Sequence, residues 1–242
     1  MSKNAELTRK EMKGPDQFQV VAGEAASWLT GHRRQTVLVG AAVLAVMVLV
    51  AVVSSVRAGS ARQAGAALAE VYKAAGGEVS SVPLPGLPGP FYPSEAARQK
   101  AVVEAAARVL AESPSTRAGA LAALAKGDAH LKLGEWDAAA AAYQAYLAAA
   151  PREDSLRFGA LEGLALVEEG KGNLDAALAG YARLAAEVPA QADRADLAKA
   201  RLLAAAGKKE EARKLLATFG ESHKASPLAG EASDLLARLG GK

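Results

Sequence analysis

The feature that most constrains this chain is the run over residues 35–56, in which 22 residues pass without a charge. Its centre, residues 36–53, reads TVLVGAAVLAVMVLVAVV, apolar on every side of a helix and free of Pro. About 20 such residues cover the ~30 Å hydrocarbon core of a bilayer. A helix without a polar face has to be buried in lipid or in a large core, and nothing else in the sequence could enclose it. The run therefore predicts a transmembrane helix. It divides the chain into a cytoplasmic tail (1–34), the span (35–56), a membrane-proximal helix with a Pro-rich linker (57–93) and a helical domain (94–242).

The net charge of +3 at first resembles a nucleic-acid signal. Partitioned, residues 1–34 carry six bases and four acids (+2), residues 57–93 three and two (+1), and residues 94–242 twenty of each (0). The excess sits beside the apolar run, so polyanion binding by the helical domain is not expected. The six bases of the short tail predict that it stays in the cytoplasm, while a long C-terminal part crosses regardless of charge. The expected location is the bacterial inner membrane, single-pass, N-terminus inside and C-terminal domain periplasmic. A signal peptide cleaved at Val56-Arg57-Ala58 is the rival, but the apolar stretch exceeds the usual 7–15 residues. The chain has no Cys, which excludes disulfides, thiolate metal sites and a Cys nucleophile.

Residues 1–14 are polar and mixed in charge, as in disordered segments. Phe18, Val21, Ala22, Ala25, Trp28 and Leu29 then recur at helical spacing, predicting a short amphipathic helix against the inner leaflet. After the span, residues 58–75 read as a continuing helix with Ala64, Leu68, Val71 and Tyr72 on one side, ended by Gly76-Gly77. Residues 83–93 hold five of the ten prolines. They predict an extended, semi-stiff spacer, with a ligand for a Pro-binding groove as the alternative.

From Ser94 the pattern is helical and repeats. GDAHLKLGEWDAAAAAYQAYLAAAP begins at Gly127, and ALVEEGKGNLDAALAGYARLAAEVP begins at Ala165. Gly134 and Gly172, Ala139 and Ala177, Tyr143 and Tyr181, and Pro151 and Pro189 are each 38 apart. A weaker third copy has Gly207 at the turn and Ala212 as its small residue. The spacing reads as antiparallel helix pairs: small residues let the two helices approach, a Gly closes the first, and Pro ends the second. Trp136 or Leu174, then Tyr143 or Tyr181, fill the space against the next pair. One pair cannot bury its apolar face alone, so the pairs must stack.

These residues resemble the tetratricopeptide repeat over roughly residues 115–225. The resemblance implies an all-α fold: one transmembrane helix followed by a right-handed helical-repeat α-solenoid. The period of 38 rather than 34 predicts four extra residues near 151–155, lengthening the next helix by about a turn. Tyr146 replaces a usual small residue and Glu168 a usual apolar one. Residues 94–113 and 227–239 read as capping helices. The layout is similar to the YfgM-like family of ancillary translocon subunits, which implies association with the protein-export channel and periplasmic folding factors.

Chemistry is sparse. His32, His130 and His223 have no second ligand at metal spacing, and the Gly-Lys pairs lack the rest of a phosphate loop. No catalytic constellation, cofactor site or small-molecule substrate is expected, and the chain reads as a binding protein rather than an enzyme. The first helices of stacked repeats line a groove. In this register it holds Leu121, Leu124, Asp128, Leu131 and Lys132, then Glu162, Leu166 and Glu169, then Arg194, Leu197 and Arg201. Such a mixed surface suits a partner helix or extended segment, although some of the leucines could instead pack against the caps. The alternative is a structural subunit of another envelope complex serving secretion, motility or cell-wall work.

Overall fold

The computed structural model describes residues 31–82 and 88–240, together with Val21, Gly23, Ser27, Trp28 and Gly86. The chain divides into two compact units, Met1–Ala58 and Gly59–Lys242. The tail 1–14 lies outside the described residues, as do Phe18, Ala22, Ala25 and Leu29. Val21 and Trp28 are helical and exposed.

Helix α1 (Arg33–Ala75) contains the apolar run, and none of that run is buried by the chain's own fold. Its later residues, from Gly59, belong to the second unit. There Ala64, Leu68, Val71 and Ala74 join Val102, Ala105, Ala106 and Val109 in one core cluster. The predicted stripe was right for Ala64, Leu68 and Val71, but Tyr72 is 53% exposed. The compact second unit thus begins at Gly59 rather than Ser94, because this stripe needs the following helix to cover it.

The Pro-rich stretch also departs from expectation. Beyond Gly76-Gly77, β1 (Glu78–Val79) pairs in parallel with β2 (Phe91–Tyr92). Glu78 N–H donates to the Pro90 carbonyl at 3.0 Å and Ser80 N–H to Tyr92 at 2.8 Å. Arg98 donates to the Gly77 carbonyl at 3.1 Å. Residues 78–79 and 91–92 are thus one strand spacing apart, so the chain between them does not separate its two ends as an extended spacer would.

Helix α2 (Glu95–Glu112) starts at Ser94, whose hydroxyl accepts from Ala97 N–H. Three helix pairs follow: α3 (Arg117–Lys132) with α4 (Trp136–Ala149), α5 (Arg157–Gly170) with α6 (Leu174–Glu187), and α7 (Ala192–Ala205) with α8 (Lys209–Ala217). A short helix α9 (Phe219–Ser222) and α10 (Ala229–Gly240) close the unit, with Leu228, Leu235, Leu236 and Leu239 packed against its last cluster. Consecutive helices from α2 to α8 pack on one another.

The same turn joins each pair. Gly134, Gly172 and Gly207 have φ of +73°, +79° and +79°, a left-handed conformation that only glycine adopts without strain. The residue after each glycine donates back across the turn: Glu135 to His130, Asn173 to Glu168 and Lys208 to Leu203, at 2.8–2.9 Å. This is the Schellman arrangement, which satisfies carbonyls at the end of the first helix. Ala139, Ala177 and Ala212 are fully buried, as the repeat requires.

The extra residues of the longer period do not lengthen the next helix. Helix α5 has 14 residues and α3 has 16. The insertion lies in the 150–156 connection. Asp154 there pairs with Arg117 at the start of α3 while accepting from Leu156 N–H at 3.0 Å. Ala150 and Leu156 pack on the cluster that holds Tyr146. Tyr146 is fully buried, and its hydroxyl has no hydrogen-bond partner among the described residues.

Candidate functional site

The repeat positions first determine how the pairs meet. Trp136 and Tyr143 are seven residues apart on α4, and Gly163 and Gly170 are seven apart on α5. A Cβ on Gly163 would lie 2.3 Å from the Tyr143 ring, and one on Gly170 would lie 2.6 Å from Trp136. The two helices therefore run antiparallel, with aromatic rings lying on bare backbone. Gly127, on the partner helix α3, meets the other side of Tyr143, where a Cβ would approach to 2.7 Å. Tyr143 is the joint between the first two pairs.

Its hydroxyl extends to the first-helix surface and donates to Asp128 at 2.8 Å. Asp128 is exposed as a residue, yet burial around its carboxyl pushes its pKa up, with the Glu162 charge adding to the effect and the Tyr143 bond opposing it. In the second pair Tyr181 donates to Glu169. Both tyrosines have pKa values pushed well above the usual range, first by burial and then by these carboxylates. Neither is available as an acid near neutral pH.

The other groove residues divide into four groups. Glu162 and Arg194 form an ion pair across α5 and α7 at 2.6 Å, and Arg201 pairs with Glu231 of α10. Leu121, Leu124 and Leu131 are half-buried and pack against core clusters. Leu197 is 2% exposed inside the last cluster and faces no partner, a correction to the predicted groove. It stands ten residues before its turn glycine, as Leu124 and Glu162 do, but Leu216, Phe219 and Ala232 of helices α8 to α10 cover it. Leu166 and Lys132 remain exposed. The surface is thus a polar seam in which Glu162, Arg194 and Arg201 are ion-paired within the chain and Asp128 and Glu169 accept from tyrosines, with Leu166 as its exposed apolar point.

The histidines are not isolated. His130 Nδ1 lies 2.6 Å from Glu135, and His223 Nε2 lies 3.0 Å from Asp196. Among the described residues, no group of three or more His, Asp or Glu side chains could hold a metal ion.

No protein-family model matches the chain, and a search of curated proteins finds no match.

Sequence reasoning missed Gly163 and Gly170. Their signal was present: a pair of glycines spaced by seven opposite a pair of aromatics spaced by seven.

Proposed function

We propose that the chain is a single-pass membrane protein whose helical repeat unit is an adapter for protein partners at the bacterial inner membrane, facing the periplasm. The observation that carries this reading is the apolar run of α1, exposed on all sides in the chain's own fold. Leaving so many Val and Leu side chains in water is disfavoured by about 1.5–3 kcal/mol each, and a bilayer removes that penalty. Three identical glycine turns and small residues at matched positions support a tetratricopeptide-like stack. Such stacks are binding surfaces, and the layout is the basis for naming export-channel subunits or periplasmic chaperones as partners.

The adapter is tested by affinity purification of the full chain from mild detergent beside a Lys132→Glu, Leu166→Glu double variant. Both positions are exposed, so the variant folds, which substitution of the half-packed Leu124 or Leu131 would not ensure. Recovery of export-channel subunits or chaperones by the parent, weakened in the variant, is the expected result. A second reading, a fixed structural subunit of another envelope complex, is favoured by the internal pairing of Glu162 with Arg194 and of Arg201 with Glu231. Equal recovery of one complex in fixed stoichiometry by both proteins would select it.

A further inference from the structure

Away from the first-helix seam, a cavity of about 630 Å³ opens where the end of α4, the 150–156 connection and α6 meet. Its lining is more polar than apolar: Arg152, Arg157, Arg183 and Glu187 stand beside Leu147 and Ala186. Three guanidiniums against one carboxylate leave a local excess of +2 (3 − 1), in a repeat domain whose net charge is zero.

The arginines are not equivalent. Arg157 is fixed: its side chain is 11% exposed and donates to the Leu147 carbonyl and to Glu187, both at 3.1 Å. Arg183 reaches the same carboxylate through Nε at 2.6 Å. Glu187 is therefore chelated from two sides, and the Arg183 bond holds its pKa below the usual carboxylate range. Among the described residues, Arg152 has no ion-pair or hydrogen-bond partner, and Arg183 donates only through Nε.

We propose that this cavity docks an acidic segment of a protein partner, whose carboxylate is taken by Arg152 and the remaining donors of Arg183. Glu187 shows the geometry in miniature: a carboxylate seated between two guanidiniums, beside alanine and leucine side chains. Planar, forked arginine is suited to carboxylates, and the volume falls within the ~300–1,000 Å³ range of ligand pockets. The aliphatic Leu147 and Ala186 in the lining and the resident Glu187 favour a peptide carboxylate over a compact dianion such as phosphate. The inference is independent of the seam and of the membrane anchor.

The test is fluorescence anisotropy of a labelled Glu/Leu-alternating peptide with the full chain in mild detergent at low salt. It is repeated with Arg152→Ala, Arg183→Ala and with Arg152→Lys, Arg183→Lys, each checked by circular dichroism for an unchanged melt. The expected result is binding that weakens about tenfold or more in the alanine variant, is partly kept in the lysine variant, and is absent for a Lys/Leu peptide. Equal binding by parent and alanine variant overturns the proposal. So does complete displacement of the peptide by millimolar inorganic phosphate, which would mark a small-anion site. Arginine-dependent binding to phosphatidylglycerol vesicles without peptide binding would overturn it in favour of a lipid surface.

Discussion

At the junction of α4 with α5, Trp136 and Tyr143 lie against Gly170 and Gly163, where no side chain stands. At the junction of α6 with α7, Leu174 replaces the tryptophan, and Tyr181 packs in a cluster with Leu161, Ala165, Leu184 and Ala195, with Ala198 beside it. The two junctions come from matched repeat positions yet differ in tolerance. The first depends on two missing methyl groups, whereas the second is built from methyl groups that already fit. A repeat conserves the position of its ring, and the neighbouring helix makes room for it in whatever way its own sequence allows.

The largest expected effect follows from that difference. Gly163→Ala puts a Cβ into the Tyr143 ring, which is fixed on its other face by Gly127. Overpacking of this kind costs about 1–3 kcal/mol, so a clear drop in thermal midpoint is expected. Ala198→Gly, in the α6/α7 junction, should cost about 1 kcal/mol or less through backbone entropy. Comparable losses from both would show that the junctions do not differ as described.

Next comes Tyr143→Phe, which removes the donor to Asp128 and leaves a partly desolvated carboxylate without it. A loss of about 1–2 kcal/mol by chemical denaturation is expected. Tyr146→Phe, one turn along the same helix, is expected to be neutral or to stabilise by up to about 1 kcal/mol, because it deletes a buried hydroxyl with no partner. A destabilising Tyr146→Phe would mean that the hydroxyl is satisfied in solution.

The smallest effect is expected at Asp128. Its folded pKa lies above its unfolded value, so the folded state holds the proton more tightly. Its contribution to stability rises as pH falls through the folded pKa, and the ionised form costs stability at neutral pH. Asp128→Asn should therefore leave stability at pH 7 unchanged or slightly higher and remove that acid-side gain. Asp193 and Glu187 act in the opposite sense, their pKa values lowered chiefly by bonds from Ser226 and Arg183. Their contribution is present above the unfolded carboxyl pKa and is lost as pH falls through the folded one. Stability–pH curves of parent and Asp128→Asn, compared by subtraction, isolate the Asp128 term.

Local patterns were legible where they carried local causes. Gly134, Gly172 and Gly207 announce their turns because left-handed backbone selects glycine, and Ala139, Ala177, Tyr143 and Tyr181 fall at buried positions that their spacing indicated. What was not legible depends on pairing across the chain. The Pro-rich segment looked extended because a two-residue parallel ladder leaves no periodic trace. The 150–156 insertion was assigned to a helix because only the fold shows Asp154 reaching back to Arg117. Leu197 reads as a surface residue because only the fold shows Leu216, Phe219 and Ala232 closing over it. Of the predicted groove, its ion pairs and half-packed leucines could be recognised only once neighbouring helices were placed.

The proposed topology makes α1 a membrane span with the repeat unit outside the cytoplasm. The absence of cysteine allows a direct measurement: Lys3→Cys and Lys224→Cys, each the sole thiol, probed in spheroplasts with a membrane-impermeant maleimide. The prediction is labelling of Lys224→Cys in intact spheroplasts and of Lys3→Cys only after permeabilisation, with both proteins retained in membranes after an alkaline wash. Labelling in the reverse order, or release of the intact chain by alkali, would contradict it.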